Sequence, residues 1–448
     1  MKRLLAALLS IGLLCCALPC SAQAVGMQTA AASRQLLVML RMPPPHYRPD
    51  SSYGGGYAED GTRAARRRQA TELAAAHGLR FVDDWPMPAI GIDCFVMEDP
   101  GNAPLERVLD ALARDPRVAW AQTINEYRGL DGANQRANGR ANERANERAG
   151  DPLYPVQPAA RAWHLAELHR ASTGRQVLVA VIDSGVDASH PDLAGQVAMR
   201  QNFVDTSAAG VAEPAESHGT AVAGIVAARA GNGQGIAGIA PEARLMALRA
   251  CWENAHQETR CNSFTLGKAL HYAVLNDAKV INLSLGGPPD RLLQTLLDTA
   301  LARGIAVIGA VDPERADGGF PASWPGVIAV TTAADRRALP AGAVHAPGTD
   351  IPATLPGARW GLVSGSSYAA AHVAGLAALL AELHPRSVPP WRPAFVTAAR
   401  TSLAAHDAVP APEQAGSIDA CATIARAAGA CVCLCPSTTA ATAGFLRR

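Results

Sequence analysis

Neither sign of charge prevails in this chain: 40 Lys and Arg stand against 39 Asp and Glu over 448 residues, and no long basic run interrupts the balance. An electrostatic footprint for nucleic acid is therefore missing. Also missing is an apolar run of the ~20 residues that a membrane span requires; the N-terminal one, Leu4 to about Leu18, is shorter. The mature protein is thus expected to have no membrane span. Cysteines never fall in C-x-x-C pairs, and the C-x-C-x-C run of Cys431, Cys433 and Cys435 comes without histidines, which argues against a structural zinc site. No acidic loop has the ligand spacing of a calcium-binding loop.

What is present begins with a targeting segment. Lys2 and Arg3 precede the short apolar run, and Ser21-Ala22-Gln23-Ala24 supplies an A-x-A cleavage site, so residues 1–24 read as a signal peptide. The product is expected to be exported, either secreted or periplasmic. Six of the ten cysteines lie beyond residue 150, an even number that suits disulfides in an oxidising compartment. Cys251 and Cys261 would close a short loop, and Cys421, Cys431, Cys433 and Cys435 cluster near the end without a readable connectivity.

Residues 35–124 pattern as a small domain of order β-α-β-β-α-β, a split βαβ sandwich. Its strands are LLVMLRM, LRFVDDW, IGIDCFVM and VAWAQTI, and its helices run from Arg66 to His77 and from Pro104 to Arg114. The repeat ANQRANGRANERANERAG follows; it is polar and cannot bury enough surface to order itself, so residues 128–151 read as a disordered linker open to proteases. From Asp151 onward, continuous apolar runs of strand length (VLVAVI, ARLMALRA, KVINLSL, GIAVIGAV, GVIAVTT) alternate with helical patterns at about 219–229, 264–276 and 290–303. Such runs are covered on both faces, which implies a parallel α/β sheet with helices on either side. Ligands in such sheets sit at the carboxyl ends of the strands.

Three short motifs fall where chemistry is expected. Asp183-Ser184-Gly185 ends the run VLVAVI, Ser217-His218-Gly219-Thr220 opens a helix of small residues, and Gly365-Ser366-Ser367-Tyr368 opens another. Taken singly they read as a turn, a capping or core histidine, and an N-cap serine. A serine at a helix N-terminus also lies by unpaired N–H groups that can stabilise an oxyanion.

Taken together, in the order Asp, His, Ser, they resemble the subtilisin-like serine peptidases. DSGVD, SHGTAVAGI and GSSYAAAHVAG resemble that family's three signatures, and GIAGIAPEARLMALR, VINLSLGG, FPASWPGVIAV and HAPGTDI follow in family order. The resemblance implies a subtilisin-like peptidase domain over residues 152–428, with a Cys-containing tail over 429–448. It implies Ser367 as nucleophile, His218 as general base and Asp183 as the group that orients the imidazole, with Ser364 and Ser366 structural. Ser284, Leu285 and Gly286 resemble the strand against which the family's substrate backbone pairs. It further implies that residues 25–127 form a ferredoxin-like propeptide that assists folding, inhibits the site and is removed by self-cleavage, and Asp151-Pro152-Leu153-Tyr154 resembles a mature start. Polypeptides are the implied substrates and the propeptide the implied partner. No cofactor is needed for the chemistry, and a structural calcium is implied by family analogy alone.

The chain departs from the pattern in one consequential place. The family takes an oxyanion-hole amide from an Asn after a strand like GIAVIGAV; here the chain reads Val311-Asp312-Pro313, placing Asp312 there, or Pro313 if the alignment slips by one. Asn232 and Asn282 belong to other parts of the pattern. A protonated carboxyl can donate to an oxyanion, an ionised one cannot. Losing one donor costs about 10²–10³ in rate, against accelerations of at least ~10⁶, so a slower enzyme is expected rather than a dead one. Activity would need Asp312 protonated and His218 neutral, hence a narrow pH range. Ser366, Tyr368 and Ala371 replace the family's Thr, Met and Pro, and Ala371 restores an N–H without unfolding the helix. The competing expectation is a subtilase-fold binding or regulatory protein with impaired catalysis.

Overall fold

A computed structural model describes residues 34–42, 57–102, 104–132, 150–204, 214–332, 335, 339–340, 342–385, 391–398 and 416–433. The signal segment, most of the Arg-Ala-Asn repeat and the last residues of the tail lie outside the described residues.

The apolar runs become a nine-stranded sheet. In spatial order it comprises Thr397–Ala398, Gly416–Ile418, Val344–Ala346, Ile328–Thr332, Ala306–Ala310, Val280–Leu283, Leu178–Asp183, Arg244–Arg249 and Val197–Asn202. Every neighbouring pair is parallel except the first, which is antiparallel. Helices Ser217–Ala227 and Ser366–Leu383 cover one face, and Ser263–Leu275 and Arg291–Ala302 the other. Ser263–Leu275 starts in a capping box between Asn262 and Thr265, and Asp290 caps Arg291–Ala302 through the Leu293 N–H. Among the described residues one helix is long and apolar enough to cross a membrane, Ser366–Leu383, and it is buried in this core.

The sequence does not announce the edge strand Val197–Asn202, because VAMRQN is half-buried along its length and has no continuous apolar run. Nor does it announce the hairpin of Ile351–Leu355 with Arg359–Val363, which leads into the helix Ser366–Leu383.

The N-terminal unit has the expected order β-α-β-β-α-β. Its antiparallel sheet runs Arg80–Met87, Ile92–Glu98, Gln35–Arg41, Val118–Thr123. The first helix spans Tyr57–Ala76, starting earlier than its apolar spacing indicates, and the second Leu105–Ala113. Alternate residues of the strands serve two cores. Leu36, Val38, Phe95 and Met97 pack beneath the unit's own helices, with Leu73 and Leu112. Leu37, Met39, Cys94 and Val96 pack with Phe264, Leu270, Leu292 and Leu296 of the large domain. The unit is thus seated on two helices of the main sheet, with Lys268 buried at the junction, 5.7 Å from the Trp85 ring centre.

One expected boundary falls inside an element. Glu126–Gly129 forms a strand that pairs with the large domain, so the division between residues 127 and 128 cuts through a strand, and residues 128–132 are ordered rather than linker. The reason is backbone pairing, which a polar composition does not reveal. At the other end a Cys421–Cys433 disulfide ties the start of the tail to the helix Ala420–Ala428, and Cys251 pairs with Cys261 as expected.

Candidate active site

Asp183 is the last residue of its buried strand, which fixes its carboxylate at the sheet's carboxyl edge. Oδ1 accepts the Ser184 N–H at 2.7 Å and lies 2.6 Å from His218 Nδ1. Both side chains are almost wholly buried. His218 can come so close because Gly219 follows it: a Cβ there would strike the Ser184 carbonyl. Burial alone would lower the His218 pKa, but Asp183, and beyond it Asp131 and Glu253, outweigh burial and raise it to about 9.

Glu216, Glu253 and Arg249 buttress this pair, and sequence reading missed all three. Glu253 accepts the His218 N–H at 2.7 Å. Glu216 accepts the backbone N–H of Gly185 and Glu253, and its two oxygens each meet Arg249 at 3.0 Å. The available signals were an Arg inside the apolar run ARLMALRA and a Glu directly before Ser-His-Gly.

Ser367 is the second residue of its helix and fully buried. The N-cap is Gly365, whose φ of 147° and close contact with Leu130 and Asp131 leave no room for a Cβ. Ser367 Oγ donates to the Ser284 carbonyl at 2.9 Å and accepts the Leu130 N–H at 3.0 Å. Among the described residues His218 Nε2 meets no hydrogen-bonding partner. The structure therefore joins Asp183 to His218 and leaves Ser367 Oγ turned toward Ser284. Ser366 Oγ donates to the Val311 carbonyl at 2.7 Å and Ser364 Oγ accepts the Asp350 N–H at 2.9 Å, both scaffold bonds. Tyr368 packs its ring 5.6 Å from that of His218.

Residues 126–132 fill the cleft. Gly129 and Arg128 pair antiparallel with Leu285 and Gly286, and the same strand pairs on its other edge with Thr259–Asn262. The Ser367 N–H points to the Leu130 carbonyl at 3.4 Å, and the Gly132 N–H donates to the Ser364 carbonyl at 2.6 Å. Leu285 and Gly286 thus pair with an extended backbone, and Ser284 contributes its carbonyl to Ser367 and its hydroxyl to the Ser367 carbonyl.

Asp312 lies at this cleft, buried, with its Cβ beside Gly286 and Gly319. Its oxygens accept from Arg128 at 3.3 and 3.4 Å, and Oδ1 also accepts from the Glu314 N–H at 2.9 Å. In these contacts both carboxyl oxygens act as acceptors. Arg128 is brought to Asp312 by the strand pairing.

Among the described residues no three His, Cys, Asp or Glu side chains gather as ligands. Asp151 and Asp192, which lie near enough to interact, are taken up by N–H donors: Gly231 and Gly233 for the first, Asn232, Ile236 and Trp360 for the second.

The site thus holds a buried Asp–His pair and a buried serine at a helix N-terminus, beside a cleft occupied by an extended segment. The profile described as "Subtilase family" matches residues 174–414, and the chain belongs to that family. It is 40% identical over 227 residues to Subtilisin of Bacillus pumilus, covering 48% of this chain and 79% of that one. Subtilisin E of Bacillus subtilis (strain 168) is also 40% identical, over 48% of this chain and 57% of its own length. Thermitase of Thermoactinomyces vulgaris is 34% identical over 50% and 79%. The fold is shared with a solved structure titled fervidolysin from Fervidobacterium pennivorans, a keratinolytic enzyme related to subtilisin, at a TM-score of 0.62 and 22% identity, over 87% of this chain and 60% of that one.

Proposed function

We propose that the chain is an exported serine endopeptidase, made as a precursor that processes itself, with residues 25–127 and the remainder of the strand Glu126–Gly129 acting as its propeptide. The observation that carries this reading is the Leu130 carbonyl at the Ser367 N–H, beside a preformed Asp183–His218 pair. His218 takes the Ser367 proton as Oγ attacks the carbonyl carbon, then gives it to the leaving amine. Asp183 holds the tautomer and stabilises the imidazolium. The Ser367 N–H, at the positive end of its helix, faces the developing oxyanion. No amide side chain supplements it at Asp312, so turnover is expected to be slow by the family's standard. Export accords with the Cys251–Cys261 disulfide.

A second reading, a binding or regulatory protein on the subtilase fold, is favoured only by Asp312. The two separate on one comparison: the mass over time of the exported precursor and of its Ser367→Ala variant. Loss of the N-terminal unit from the wild type alone supports the peptidase. Two chains that stay intact, or are trimmed alike, support the binding protein.

A further inference from the structure

The residues lying in the cleft are this chain's own, and they identify both a bond and a sequence. We propose that the first bond cut is Leu130–Asp131, and that Tyr127 to Leu130 spell the preference of the mature cleft: aromatic, basic, glycine, then an apolar residue at the cut, with Asp312 and Glu314 reading the basic one. This rests on the peptidase reading above and adds the substrate to it.

The bond is identified by Ser367. Its Oγ meets the Leu130 N–H at 3.0 Å and its N–H meets the Leu130 carbonyl at 3.4 Å, so the two atoms bracket the Leu130 carbonyl carbon. On the far side Asp131 bridges to Gly365. The polar repeat that composition singles out as protease-prone lies downstream of this bond. In the reaction the Ser367 Oγ–C bond to Leu130 forms, the C–N bond to Asp131 breaks, and the Oγ proton reaches the Asp131 nitrogen through His218. Water, giving a proton to His218, then attacks the acyl carbon; the C–Oγ bond breaks as that proton passes to Oγ, and Leu130 leaves as a carboxylic acid whose proton goes to solvent. A cavity of about 540 Å³ borders Leu130, Asp131, Thr331 and Gly348 beside this bond.

Each position before the bond meets a distinct surface. The Leu130 side chain is buried against Gly286, where a Cβ would come within 3.1 Å of it. At Gly129 a Cβ would stand 2.9 Å from that of Thr259, so a larger residue must push the strand away. Tyr127 is buried against Phe320 and over Gly287, and its hydroxyl donates to the Pro288 carbonyl at 3.0 Å. Arg128 pairs with Asp312 and with Glu314. The family's amide donor has thus become a carboxylate that selects a cation.

Two measurements test this. Quenched time points of the processing precursor are read by intact mass and N-terminal sequencing. The earliest products are expected to be a fragment ending at Leu130 and a chain starting at Asp131. First cleavage anywhere else overturns the assignment of the bond while leaving the peptidase standing, whereas a precursor that never cuts itself overturns both. The mature enzyme is then given Tyr-Arg-Gly-Leu-Asp-Gly and the same peptide with Glu for Arg. Because the pair is half-exposed, kcat/KM should favour Arg by about tenfold, and Asp312→Asn with Glu314→Gln should bring the ratio to about one. The ratio cancels any rate change common to both peptides. Equal cleavage of the two by the wild type, or an unchanged ratio in the double variant, overturns the recognition.

Discussion

Replacing Arg249 by Met should destabilise the protein through a charge rather than through lost packing. The Arg249 and Glu216 side chains are 8% and 10% exposed, and Arg249 is the only cation that Glu216 contacts among the described residues. Without it, Glu216 retains the N–H groups of Gly185 and Glu253, two dipoles in place of a full charge. Stranding one partner of a buried pair costs about 3–5 kcal/mol. At roughly 2–4 °C per kcal/mol, Tm should fall by about 6–20 °C, toward the lower end in a chain of this size. The melt is best run on the Ser367→Ala background, where self-cleavage cannot blur it. Glu216→Gln added to Arg249→Met removes the stranded charge and keeps a carbonyl acceptor, so it should recover most of the loss. A single variant within about 2 °C of its parent, or a double variant no better than the single, would refute the argument.

Other predictions concern protons and the disulfide. With the cleft filled, the carboxylates of Asp183, Asp131 and Glu253 hold His218 protonated up to about pH 9. Because the general base must be neutral, self-cleavage measured by quenched mass spectra should speed up as pH rises toward 9, and Asp131→Asn should move the midpoint down; a flat profile contradicts this. Burial depresses His372 to about 4, and burial with Arg303 depresses His271 to about 4. The unfolded chain takes protons near pH 6.5 that these folded residues refuse, so stability present above that pH is lost as pH falls toward 4. Tm of the Ser367→Ala precursor should drop across that window, and His372→Gln should flatten the drop. Reducing Cys251–Cys261 frees a loop of about ten residues, worth about 3 kcal/mol by the chain-entropy argument. That loop carries Glu253 and the strand Thr259–Asn262, so reductant should lower both Tm and processing rate; unchanged values would show the bond to be dispensable.

Legibility in the sequence followed burial. Runs such as VLVAVI and GIAVIGAV were readable because sheet neighbours and helices bury both their faces, whereas VAMRQN at the edge and the three-residue VHA carry no period long enough to read. Asp183, His218 and Ser367 sit in motifs whose small residues are explained by close approach, so their places were readable too. The orientation of Ser367 Oγ toward Ser284, and the passage of Tyr127 to Leu130 through the cleft, depend on pairings between segments far apart in the chain. Arg128 and Asp312 are 184 residues apart, and nothing local to either announces the other. Asp312 was therefore legible as a departure from the family and illegible as half of an ion pair.

Among the described residues His218 Nε2 has no hydrogen-bonding partner, which bears on the two functional readings. A buried polar atom left without a partner costs about 1–3 kcal/mol, and native structures retain few such atoms without a reason. In the peptidase proposed above, Ser367 Oγ would exchange its hydrogen bond to the Ser284 carbonyl for one to Nε2, at a net cost of about 1 kcal/mol or less. In this arrangement the Leu130 carbonyl is already seated against the Ser367 N–H, and Ser367 Oγ rests on the Ser284 carbonyl. Ser367→Cys tests that step. A thiol is larger and a weaker hydrogen-bond donor to Ser284, so its sulfur should turn to His218 and form a thiolate–imidazolium pair. That pair is detectable as thiolate absorbance near neutral pH once the N-terminal unit is removed. If the introduced thiol instead titrates like an ordinary one, the side chain at this position does not meet His218, and the rotation that completes the triad does not occur.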